Sequence, residues 1–289
     1  DWKPRNADHT STPDSTVALW YALAHSMNLP TVDLYFRVGE ERLRETLNRL
    51  RLPELPDSTP SAALGSLDLS LYQLTRTYSA FANGGQMQEP ELINSILDPA
   101  GNILYAKRLH PPTEVFSTET TDLTTAILQQ VIEQGTATGM RKWYGVRSEL
   151  AGKTGTAQNY SDAWFIAYTP DLVVGTWVGA RMPEVHFSGS EGSGAALAMP
   201  IVAQVIRQME RDPLLSERYL TSFDLPVETY SFLECEPYYM PGIRGILDRL
   251  FRNRIERDSI YLDERLKYRR EREEEDRPRR PLFRRRFRR

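Results

Sequence analysis

Three strand-like runs follow one another between Ser148 and Ala180, joined by links too short for a crossover between parallel strands. The runs are Ser148–Gln158, Ala163–Tyr168 and Leu172–Ala180, and the links are Asn159-Tyr160-Ser161-Asp162 and Thr169-Pro170-Asp171. Links this short pair neighbouring strands antiparallel. The flanking sequence has helical periodicity. Val17, Leu19, Trp20, Leu23 and Ala24 predict a helix capped by Ser15 and ending near His25, and Leu43, Leu47 and Leu50 line another over Glu40–Leu52. Asp68 or Ser70 caps a helix through Leu71, Leu74, Tyr78 and Phe81, which Asn83-Gly84-Gly85 stops. Thr118 caps a helix that reaches Gln134 and closes at Gly135, and a last one spans Ala195–Glu210. Residues 53–60 read as a Pro-rich loop, and Glu91–Leu109 as two short strands about a turn at Pro99-Ala100-Gly101-Asn102. The expected fold class is α/β of the α+β type, an antiparallel sheet flanked by helices.

Charge divides the chain. From residue 241 onward there are 18 Lys and Arg against 10 Asp and Glu, a net of +8, whereas residues 1–240 carry −11. The expected organisation is a folded domain over 1–212, a linker over 213–240, and a basic, solvated or disordered tail over 241–289. The single cysteine, Cys235, excludes an intrachain disulfide and reads as a semi-buried thiol. His9, His25, His110 and His186 have no ligand spacing, so neither a metal nor a cofactor is expected. No apolar run of about 18 residues offers a membrane span. The chain begins at Asp1 rather than Met and is expected to be a fragment or processed product whose anchor precedes it.

Two short motifs could carry chemistry. Lys153-Thr154-Gly155 lies early in the first of the three strands. A strand edge can hydrogen-bond an extended peptide as an added strand, and a glycine admits another backbone closely. Lys153 with the hydroxyls of Thr154 and Thr156 could hold a carboxylate. Ser26-x-Asn28 follows a helix and precedes Pro30, which discourages helix at Leu29, so a fixed loop is expected there.

Ser-x-Asn and Lys-Thr-Gly are two of the three motifs of penicillin-recognising serine enzymes. Longer stretches resemble the bifunctional (class A) penicillin-binding proteins. They are Ala22–Pro30, Ala63-Leu64-Gly65, Ala80–Gly85, Gly135-Thr136-Ala137, Ala151–Thr156, Asp162–Phe165 with Tyr168-Thr169-Pro170, and Trp177-Val178-Gly179. Their order and spacing match that family from Trp2 to about Glu210. The resemblance implies a serine β-lactamase/DD-peptidase-like fold, incomplete at its N-terminus. The third motif, Ser-x-x-Lys, supplies the nucleophile, and no serine of the 289 residues has Lys three positions on.

The activity implied is peptidoglycan D,D-transpeptidation through a serine acyl-enzyme, with stem peptides and β-lactams as partners. By motif, Ser26 would help shuttle a proton to the leaving amine and Lys153 would supply positive charge. Asn28 would hold the substrate amide, and Thr154 and Thr156 its carboxylate, while the strand through Gly155 pairs with the peptide. The nucleophile would lie outside this chain, which alone would be inactive. A serine β-lactamase shares both motifs, but no Glu-x-x-Leu-Asn lies between them. A non-enzymatic β-lactam sensor or wall-synthesis scaffold remains open. The localisation implied is extracytoplasmic, on the periplasmic face of the inner membrane, with an upstream anchor. The basic tail could adhere to anionic lipid or wall polymer, and an extracytoplasmic body argues against nucleic acid.

Overall fold

The computed structural model describes residues 4–6, 16–55, 60–107, 111–182 and 184–239. The expected cap Ser15, most of the lead-in, residues 56–59 of the Pro-rich loop and the tail 241–289 lie outside the described residues. In chain order the elements are β1 (Thr16–Val17), α1 (Leu19–Ala24), α2 (Asn28–Val38), α3 (Glu40–Arg49), α4 (Leu71–Ala82), β2 (Gln86–Met87), β3 (Ser95–Leu97), β4 (Ile103–Ala106), β5 (Thr113–Glu114), α5 (Thr118–Glu133), α6 (Gly139–Lys142), β6 (Ala151–Thr156), β7 (Asp162–Thr169), β8 (Leu172–Gly179), α7 (Gly194–Leu197), α8 (Met199–Met209), α9 (Pro213–Tyr219), α10 (Val227–Ser231) and β9 (Tyr238–Tyr239).

The three predicted runs are β6, β7 and β8, paired antiparallel in that order with β7 central. Lys153 faces Ile166, Gly155 faces Trp164, and Trp164 faces Trp177. Phe165, Ile166, Ala167 and Tyr168 are all buried. Successive strand residues point to opposite faces, so both faces of β7 are covered. Cover comes from α4 and α5, where Tyr78 meets the Tyr168 ring edge-on and Thr125 Oγ1 lies 3.0 Å from the Tyr168 hydroxyl. It also comes from α7 and α8, whose Met199, Val202 and Ala203 join the same core. The antiparallel sheet flanked by helices is thus the observed architecture. The hairpin expected within Glu91–Leu109 is β3–β4.

Several boundaries differ from expectation for local reasons. The first helix starts at Leu19, after β1, with Ala18 as an N-cap that makes no side-chain bond. For α5 the cap is Ser117, whose side chain accepts from Thr120 N–H, and Thr118 is the first helical residue. The expected helix Ala195–Glu210 is two helices. Pro200 has no N–H to continue the ladder of α7, but it suits the first turn of α8, where no donor is needed. Pro30 acts likewise. The loop expected at Asn28–Pro30 is the first turn of α2, with Pro30 where its missing N–H costs nothing.

Residues 213–240, expected as a linker, carry α9 and α10. Asp212 caps α9 by accepting from Leu214 and Leu215 N–H, and Pro213 is its first residue. Thr169 donates its hydroxyl to Tyr219 C=O (2.6 Å), and Tyr230 OH donates to Gln129 Oε1 on α5 (3.0 Å). Farther on, Cys235 C=O accepts from the Trp20 indole N–H (3.3 Å) and Pro237 C=O from Ala18 N–H (2.9 Å). The last described segment is therefore bonded to the first helix. The described residues up to Tyr238 form one compact unit. Cys235, expected half-buried, is exposed.

Candidate active site

Ser26 owes its position to the way α1 ends. Met27 N–H bonds back to Ala22 C=O (2.9 Å) and Ser26 N–H to Leu23 C=O (3.2 Å). These two bonds make a Schellman turn, whose penultimate residue adopts left-handed backbone and is usually glycine. Here it is a serine at φ +53°. A residue with a Cβ pays roughly 1–2 kcal/mol there. The turn aims the Ser26 hydroxyl at β6, where Lys153 Nζ donates to it across 127 residues of sequence.

Lys153 Nζ also donates to Thr154 C=O (2.9 Å). Burial pulls its pKa down from 10.5 to about 8, since a dry site disfavours the ammonium form. A lysine that titrates near neutrality beside a hydroxyl can give or take a proton in its working range. Among the described residues no strand pairs with the other side of β6. Ala157 N–H donates to Asp162 C=O (2.9 Å), continuing the ladder to β7. The alternation of an antiparallel ladder then turns the main-chain groups of Thr154 and Thr156 toward the open edge.

The remaining predicted residues are placed as follows. Thr154 is buried, its hydroxyl 2.6 Å from that of Thr136, with either as donor. Thr156 is exposed, and its hydroxyl accepts from Gly194 N–H at the start of α7 (3.0 Å). The close backbone approach seen here is one that Gly194 permits, since a Cβ there would lie 2.4 Å from Gly155 C=O, whereas a Cβ on Gly155 would meet the Trp164 side chain at 3.1 Å. Asn28 donates its side-chain amide to Arg5 C=O (2.7 Å). The structure thus unites Ser26, Lys153 and Thr154, while Asn28 is bonded to the N-terminal segment.

Three contributors were missed. Arg5 fixes Asn28, and Asn6, which is buried, accepts from Leu29 N–H (3.0 Å), capping α2 from outside the helix. No periodicity marks either residue, because their partners lie 23 positions away. Thr136 carried one signal, its place within Gly135-Thr136-Ala137. Among the described residues no group of three or more His, Cys, Asp or Glu side chains could hold a metal ion, and no helix is long and apolar enough to cross a membrane.

The fold is shared with solved penicillin-binding proteins. Penicillin-binding protein 1A from Haemophilus influenzae superposes with a TM-score of 0.67 at 20% identity, over 78% of this chain and 38% of that one. Penicillin-binding protein A from M. tuberculosis, as an imipenem acyl-enzyme complex, gives 0.53 at 21% identity, over 66% of this chain and 48% of that one. Residues 1–207 match the penicillin binding protein transpeptidase domain, and the chain belongs to that family. Relatives include penicillin-binding protein 1A of Aquifex aeolicus, 34% identical over 73% of this chain and 28% of that protein. Penicillin-binding protein 1B of Vibrio cholerae is 30% identical over 71% and 26%. The chain spans under a third of the length of these relatives.

Proposed function

We propose that this chain forms the substrate-binding part of a peptidoglycan D,D-transpeptidase, an enzyme that cross-links cell wall through a serine acyl-enzyme and is blocked by β-lactams. The Lys153–Ser26 contact beside the open edge of β6 carries this reading. The edge receives the stem peptide as an added strand. Lys153 and Ser26 pass the proton to the departing amine, Asn28 orients the amide, and Thr154 and Thr156 hold the carboxylate. The acyl-enzyme recorded for the M. tuberculosis neighbour supports β-lactams as ligands of the same edge. Incubating the purified chain with a fluorescent penicillin tests the division of labour. The expected result is reversible perturbation of the Thr154 and Thr156 amide signals with no label surviving denaturation. A surviving label would overturn the placement of the nucleophile elsewhere, and silent β6 amides would overturn the site.

A second reading is a non-enzymatic β-lactam sensor or wall-synthesis scaffold, and the residues preceding Asp1 in the parent discriminate: a Ser-x-x-Lys there makes it an enzyme. Loss of cross-linking when the edge residues are substituted in the longer parent protein would exclude that second reading. The proposed location is the periplasmic face of the inner membrane, held by an upstream segment. The +8 charge of 241–289 supports contact with anionic lipid or wall polymer. Deleting that tail should weaken low-salt binding to anionic vesicles or wall sacculi; unchanged binding to both would dismiss the contact.

A further inference from the structure

Ser26 and Lys153 are far apart in sequence and sit on different elements, so something must fix the distance between α1 and β6. The geometry points to Thr136 as the positioning residue of this site, a clasp joining the end of α1 to β6 behind the Ser26–Lys153 pair. This rests on the reading of that pair as the reacting edge. Thr136 does not touch it and acts through Ala24 and Thr154.

Each arm of the clasp is a specific contact. Thr136 N–H donates to Ala24 C=O (3.1 Å), two residues before Ser26. The Thr136 hydroxyl meets the Thr154 hydroxyl (2.6 Å), one residue after Lys153. Ala24 and Thr154 are both buried, so neither arm is exchanged freely for water. The turn that presents Thr136 is itself pinned to α5, through Gly135 N–H on Gln130 C=O (2.8 Å) and Ala137 N–H on Val131 C=O (2.9 Å). Its preceding residue has to be glycine, because a Cβ on Gly135 would lie 2.2 Å from Ala24 C=O.

The hydroxyl pair also constrains which way its proton points. A threonine hydroxyl has one hydrogen to give. When Thr154 donates that hydrogen to a bound carboxylate, Thr136 must be the donor within the pair. Thr136 thereby leaves Thr154 free to serve the ligand while keeping it in place.

The test is Lys153 titration by NMR in the whole lysine-labelled chain, compared among wild type, Thr136→Ser and Thr136→Val. Serine keeps the hydroxyl and valine keeps the shape. Opening the clasp admits water to Lys153, so its midpoint should rise from about 8 by about one unit or more in the valine variant and stay in place in the serine variant. An unmoved midpoint in folded Thr136→Val would overturn the proposal. Should that variant not fold, hydrogen exchange on the wild-type chain decides. The Thr136 amide should be as protected as the amides of β6, and exchange at the rate of an open loop would overturn the clasp. No substrate is used, so failure of the clasp and failure of penicillin binding are separate results.

Discussion

At the scale of the residue, Ser26 shows stability given up for placement. It occupies the left-handed position of a Schellman turn, where glycine is relaxed and serine is strained. Strain of this kind persists where the surrounding structure over-determines it, often at functional sites. Ser26→Gly should therefore raise unfolding stability by up to about 1 kcal/mol in urea denaturation, while removing the hydroxyl that meets Lys153. A destabilised glycine variant would show that the Lys153 hydrogen bond outweighs the backbone strain. The same turn explains why Ser-x-Asn alone is a weak signal, since its value here comes from backbone geometry that three residue names do not state.

At the scale of the element, the sequence was most readable where periodicity and tight links coincide. The strands β6, β7 and β8 and the helix α4 with its Ser70 cap follow local rules, and their approximate positions were legible. The prolines were harder to read. Pro30 reads as discouraging helix and Pro200 falls inside the expected helix Ala195–Glu210, but both sit in first turns, where the missing N–H is harmless. The C-terminal segment after Pro213 has loose patterning because α9 and α10 are short and gain order from tertiary bonds such as Tyr230 to Gln129. Within the site, the motif residues were legible by resemblance. Their supports Asn6 and Arg5 were not, because each acts across a gap in sequence, and Thr136 was marked only by its place within Gly135-Thr136-Ala137.

At the scale of the whole molecule, the most strongly shifted titrating groups shape alkaline stability. Lys153 is pulled down to about 8 by burial, so below that pH it is charged in both native and unfolded states and its burial penalty is present in full. Between about 8 and its ordinary 10.5 the unfolded chain binds more protons, and stability rises with pH. Tyr78 is pushed up to about 12 and Tyr168 is also raised, both by burial. Above their ordinary 10.0 the native state holds more protons and stability falls. Melting across this range should show a maximum near pH 10, and Lys153→Met should remove the rise while keeping the fall. A monotonic decline from pH 8 in the wild type would contradict the assigned burial of Lys153. The bonds from Ala18 and Trp20 to Pro237 and Cys235 have another consequence, concerning the order in which the molecule can be made. They span more than 200 residues of chain, and contacts that distant form late. A nascent polypeptide halted near residue 210 already contains both Ser26-x-Asn28 and Lys153-Thr154-Gly155. Helix α1, and the serine turn at its end, would still await the brace that Cys235 and Pro237 deliver.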